Sequence, residues 1–365
     1  NSKTCEDSLE IRKYPFRRSR SFRHKLTIFM TISNILILSE VGFYSFFTPF
    51  KHTSWIVLLI YIGITFILSI IFKGFPNDTG IIKIINKHFI IKYLLLIYYF
   101  IVISTMIFLG TIIIKDKFYS DVSIIIIYAT LLFTCIYIGF RNFNNIINVS
   151  MIFFTLIIIF YAISLTHLDG RNFNLLLPFT FDIKKIFLGK IILLFPLENI
   201  LFSLNTDNLR SGFKTKTYVI GNLSSMVYLL LIFIDSLTLL GANYFENVKY
   251  GSFIRWEVYQ GNKFIENYDI FVLIIMVTTI VFRMGLNINN FQTIIGIKKT
   301  NKFNALFFIL IFIVLSIYCL FINNLQVIIK YAIYIAFIII IILYIYFVVL
   351  SWIIYIRRKK IYGNK

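Results

Sequence analysis

Residues 194–204, LFPLENILFSL, set a proline, a glutamate and an asparagine inside a long apolar run. A run of about 18 or more apolar residues is long enough to cross a ~30 Å hydrocarbon layer as a helix. Read that way, residues 186–204 form a membrane span with Glu198 near its middle. A carboxylate at that depth costs about 3 kcal/mol even on lenient insertion scales, so it must face protein or water and be paired, protonated or bound to something. Pro196 removes a helical hydrogen bond, and the Asn199 side chain is able to satisfy the freed backbone groups. The segment therefore reads as a broken helix.

The rest of the chain supports a membrane reading. Hydrophobic residues make up 59% of the 365 and charged residues only 14%, with 41 Phe and 23 Tyr, a composition that no soluble domain shares. Ten spans follow from the apolar runs: 26–49, 54–72, 89–114, 122–140, 147–165, 186–204, 215–240, 268–290, 303–322 and 326–356. This divides the chain into a basic tail at 1–25, a transmembrane domain at 26–356 and a second basic tail at 357–365. With the N-terminus inside, 23 of the 36 Lys and Arg fall in cytoplasmic tails and loops and nine in exterior loops. Both termini are therefore expected in the cytoplasm. The net charge of +20 is explained by this bias, and nucleic acid is not expected as a partner.

Four cations lie within spans: Lys92, Lys190, Arg283 and Lys330. Long basic side chains near helix ends reach back to the headgroups, which accounts for the lysines. Arg283, in FRMGLNINNF, is interfacial if the eighth span ends at Gly285. Asp235 lies about 8 Å from its helix end by the 1.5 Å rise and reads as interfacial. The Cys residues at 5, 135 and 319 are far apart and all four His fall in loops or tails, so neither a disulfide frame nor a metal or cofactor site is expected.

Span one offers a counterpart to Glu198. In ILILSEVGFYSFFTP, Glu40 lies at mid-depth, with Gly42 two residues later and Pro49 at the exit. Ten spans split five plus five make spans one and six the first helix of each half. Interrupted helices in equivalent places are the best sequence pointer to a transporter-type site at the midplane. The expected fold is thus an all-α integral membrane bundle of about ten helices, in a five-plus-five inverted repeat with discontinuous helices one and six.

No Gly-rich phosphate loop, HExxH or His beside a buried nucleophile occurs, so no enzyme is expected. An integral-membrane acyltransferase is the best enzymatic alternative, but Arg23 and His24 of SFRHKL precede the first helix and read as positive-inside anchoring.

Four segments carry a family resemblance: DGRNFNLLLPF (169–179), FPLENILFSL, FIENYDIFVLIIM (264–276) and EVGFYSFFTP. They resemble, in turn, the exterior segment after span five, the sixth helix with its mid-membrane Glu, the start of span eight, and the first helix of the spore-germination permeases. That family (GerAB type) comprises the B subunits of nutrient germinant receptors, within the amino acid–polyamine–organocation transporter superfamily. Phe264, Ile265, Glu266 and Asp269 match the family's span-eight pattern, whereas Asn267 stands where Arg is usual and Met276 where Trp is common. The resemblance implies a multi-pass protein of the spore inner membrane that binds a small nutrient, an amino acid by the family's habit, and signals to receptor A and C subunits. A transporter of the same fold is the alternative.

In a broken sixth helix, the half starting near Asn199 presents unpaired N–H groups and a positive dipole end to a ligand carboxylate, and the Gly42 region does the same. Glu198 and Glu40 then face a ligand ammonium. Pro196 sets the break, and Tyr98, Ser104, Thr105, Thr278 and Thr279 line the expected pocket.

Overall fold

The computed structural model describes residues 25–31, 54–77, 79–166, 171–176, 191–209, 212–241, 268–296 and 325–362. Their elements are α1 (Ser54–Ile71), α2 (Ile81–Lys87), α3 (Phe89–Lys117), α4 (Ile124–Gly139), α5 (Phe143–Thr166), a 3₁₀ turn (Phe173–Leu176), a long 3₁₀ helix (Ile191–Asn208), α6 (Thr215–Leu240), α7 (Tyr268–Ile295) and α8 (Leu325–Tyr362). Apart from one isolated bridge between Phe75 and Phe213, the described residues hold no β structure. The chain is an all-α membrane protein. Four of its described helices, Phe89–Lys117, Thr215–Leu240, Leu273–Ile295 and Tyr331–Lys360, are long and apolar enough to cross a bilayer.

The long helices coincide with expected spans two to eight and ten. Of span one only 25–31 is described, and span nine at 303–322 lies outside the described residues. So do Glu40 and Gly42, and with them the first-helix half of the expected inverted repeat. The eighth span starts where expected and continues past its expected end at 290: α7 runs through Gly285 to Ile295 and carries Arg283, Asn287, Asn289 and Asn290 inside the bundle, all buried.

Polarity is distributed as lipid requires. Ile90, Ile126 and Ile152 point outward and are largely exposed, while Ser69, Asn199, Asn222 and Asn290 are buried between helices. In water this would be an inverted arrangement; in hydrocarbon the outer apolar shell has nothing to lose and the polar groups must find one another.

The helix ends show how this is met. A helix leaves its last carbonyls without intrahelical donors. For α1 these are supplied by α8: the Tyr344 hydroxyl donates to the Leu68 carbonyl at 2.5 Å and the Trp352 indole to that of Ile71 at 2.9 Å. For α4 the donor is Asn289 of α7, whose amide reaches the carbonyls of Gly139 at 2.9 Å and Arg141 at 2.8 Å. Close approach of α4 and α7 rests on two glycines. A Cβ on Gly139 would stand 2.6 Å from Ile288, and one on Gly285 would stand 2.5 Å from Ile138.

At the same end, the segments flanking α1 and α6 close on each other. Phe75 and Phe213 exchange two backbone hydrogen bonds, both 2.7 Å, and each follows a glycine at positive φ, Gly74 (76°) and Gly212 (69°). Around this bridge pack Phe72, Tyr218 of α6 and Phe347 of α8, with edge-to-face or tilted rings. The Lys25 ammonium donates to Asn148 at 2.9 Å and Met30 fills the space over Gly221, which ties the first helical stretch to α5 and α6. At the opposite end of α6, Asp235 pairs with Arg171 at 2.6 Å and the Asn172 amide donates to the Thr238 carbonyl.

Candidate functional site

Glu198 is buried in the 3₁₀ helix, and its partner is Arg283 of α7, with guanidinium and carboxylate 2.5 Å apart and both side chains at most 3% exposed. Arg283 is therefore no interfacial residue. It lies about 18 Å from the C-terminal end of α7 by the helical rise, and its guanidinium also lies over the Phe202 ring, 5.3 Å from the centroid. The Glu198 Oε2 atom in this contact has no partner of hydrogen-bond geometry among the described residues.

Polar side chains flank the pair. Tyr98 of α3 is fully buried close to the pair, and its hydroxyl has no hydrogen-bond partner among the described residues. Its neighbour Tyr99 accepts a hydrogen bond from Asn290 at 3.1 Å, and Asn290 in turn accepts from Asn205 at 2.6 Å. This network links α3, α7 and the 3₁₀ helix. Asn287 lies one turn beyond Arg283 on the same face of α7, and its buried amide nitrogen has no hydrogen-bond partner among the described residues.

Asn199 points elsewhere. Its amide donates to Asn222 of α6 at 2.7 Å, and Asn222 donates to Ser69 of α1 at 2.7 Å. The Tyr218 hydroxyl donates to the Leu197 carbonyl at 3.2 Å, so the turn after Pro196 is anchored to α6.

Two expectations are corrected here. The break expected at Pro196–Asn199 is not there. Residues 191–208 are helical with 3₁₀ geometry straight through Pro196, and the interruption of this span falls instead at Asn205 (φ −91°, ψ 18°), where two helical stretches meet at a kink. The reason is local. Pro196 removes one bond from the i→i+3 ladder without ending it, the turn that follows is held to α6 by the Tyr218 hydroxyl on the Leu197 carbonyl, and Asn199 bonds to α6 rather than to the backbone. No half-helix therefore begins at Asn199, and the cationic group beside Glu198 is a side chain instead of a helix terminus.

The second correction concerns the pocket lining. Tyr98 lies close to Glu198 and Arg283 without a hydrogen bond to either. The hydroxyls of Thr105, Thr278 and Thr279 bond to carbonyls of their own helices: Ile101 at 2.6 Å for Thr105, Ile274 at 2.8 Å for Thr278, and Ile275 for Thr279. Ser104 is partly exposed. A buried hydroxyl with its preceding turn in reach bonds there first. Sequence reading missed Arg283, Asn287 and the asparagines around them. The signal was present in NINNFQ, four amide side chains following an in-span arginine.

No known family model matches the chain, and no curated protein matches it.

Proposed function

We propose that the chain is the membrane subunit of a spore nutrient-germinant receptor, binding a small nutrient of the amino-acid class at mid-membrane and signalling to partner A and C subunits. One observation carries this reading, the buried pair Glu198–Arg283. Two facing apolar residues would pack as well or better, because a buried ion pair is commonly no more stable than its hydrophobic replacement. A charged pair kept in hydrocarbon is thus a functional group by default. The four segment resemblances supply the receptor assignment, and nothing in them calls for a reaction.

Glu198→Gln tests it. Relative to protein level, the concentration of amino-acid germinant needed for half-response should rise about ten- to a hundredfold, the worth of one charged hydrogen bond. An unchanged dose response per folded molecule would remove Glu198 from the site.

The reading places both termini in the cytoplasm. The charge bias supports it, as does the gathering at one end of the bundle of Lys25, the segments around Phe75 and Phe213, Arg141 and the C-terminal end of α8, all expected on the cytoplasmic side. Cysteine probes added from outside should label positions near Arg171 and Lys263 and spare those near Arg18 and Lys359. The opposite pattern would invert the topology.

A further inference from the structure

We infer that Glu198 and Arg283 are the two halves of a site for a zwitterion, in which a ligand ammonium takes the place of the guanidinium at Glu198 and a ligand carboxylate takes the place of the carboxylate at Arg283. The inference rests on the receptor reading above and adds to it the residue that reads the anionic end and the exchange of partners by which the pair admits the ligand.

The geometry is that of a pair able to open. Its members belong to different elements, the 3₁₀ helix and α7, so they part without breaking either helix. The pair is close but lacks a directional hydrogen bond at Oε2. Two buried polar groups stand by it. The Tyr98 hydroxyl, close to both charges, has no hydrogen-bond partner among the described residues, and its oxygen is an acceptor for an ammonium. One turn along α7 from Arg283 stands the Asn287 amide nitrogen, a donor likewise without a partner among the described residues. A guanidinium with an amide donor beside it reads a carboxylate, and a carboxylate with a hydroxyl beside it reads an ammonium.

Charge balance then selects the ligand. In a low-dielectric interior an uncompensated ion is strongly disfavoured. A lone cation entering at Glu198 would strip Arg283 of its counter-charge, and a lone anion at Arg283 would do the same to Glu198. A neutral molecule satisfies neither. Only a ligand carrying both charges separates the pair and leaves each member compensated.

The experiment uses membrane vesicles from cells that express the full-length chain, with vesicles lacking it as background. Tritiated proteinogenic amino acids, glycine betaine and γ-aminobutyrate are screened for binding. The tightest binder is then competed with its analogues lacking the carboxylate or the cationic group. Each singly charged analogue should bind at least about tenfold more weakly than the zwitterion. Arg283→Gln should reverse the preference toward the analogue lacking the carboxylate, since the cation now balances Glu198 alone, and Glu198→Gln should reverse it toward the analogue lacking the cationic group. Variants that weaken all three probes by the same factor would show a packing role and overturn the inference. If either variant fails to fold, the wild-type series decides: analogues that compete as well as the zwitterion overturn the inference while leaving the receptor reading intact. Absence of binding by every probe to the wild-type chain overturns both.

Discussion

Glu198→Ala should remove most of the folded protein from the membrane. The substitution leaves Arg283 buried without its counter-charge, and breaking a buried pair from one side costs about 3–5 kcal/mol, a large part of the stability of an ordinary domain. The reverse truncation, Arg283→Ala, should be milder, because a stranded carboxylate neutralises itself by taking a proton whereas a guanidinium cannot lose one. The double replacement Glu198→Leu/Arg283→Met should recover folded protein, since apolar side chains of similar volume substitute well for a buried pair. It should also be silent toward ligand. Size-exclusion profiles and melting temperatures of fluorescent fusions in mild detergent measure all three. Equal melting temperatures for wild type, Glu198→Ala and Arg283→Ala would mean that the two charges do not compensate each other. Glu198→Gln lies between these cases. Its amide oxygen still accepts from Arg283 but brings no charge, so its ligand response has to be normalised to folded protein.

Gly212→Val is the second large effect. Gly212 has φ 69°, a region that β-branched residues avoid, at a penalty of about 1–2 kcal/mol even for an ordinary residue. A Cβ there would also run into the Phe75 carbonyl oxygen and stand 2.8 Å from the Asn77 nitrogen, which forces the two segments apart. The reciprocal Phe75–Phe213 backbone bonds would be lost, at roughly 1 kcal/mol each. The sum, about 3–4 kcal/mol, falls on the junction that holds α1, α6 and α8 together at one end of the bundle. Proteolysis of inside-out vesicles, which present the cytoplasmic face, should then cut the variant between 72 and 80 or between 209 and 214 faster than the wild-type chain. A Gly212→Val protein as resistant and as abundant as wild type would show that this bridge does not hold the bundle end. Gly74→Val, at φ 76° and with its Cβ 2.7 Å from the Phe213 carbonyl oxygen, provides the symmetric control.

Much of the architecture was legible in the order of residues. Apolar runs of membrane length place the described long helices where expected, and the seventh span matches α6 at both ends, Thr215 and Leu240. Glu198 stands out for the same reason: a charge is conspicuous against a uniformly apolar background, and its burial cost is a property of the residue and its depth. Asp235 was read as close to its helix end, and the structure gives it Arg171 of the adjoining segment as partner.

What sequence could not decide was who answers whom. Glu198 and Arg283 are far apart in the chain, and hydropathy sees each only as a local defect in its own span. Whether Gly285 ends span eight or lets it pack stayed open, because a glycine that lets two helices touch and a glycine that stops one look alike in a string of letters. Likewise Pro196 announces a disturbed helix but not its form. The 3₁₀ geometry, and the single departure at Asn205, depend on what α6 and α7 offer to Asn199 and Asn205. In lipid every buried polar group has to find its partner within the protein, so depth and composition determine which residues must be satisfied, and only the tertiary packing of the helices decides by what.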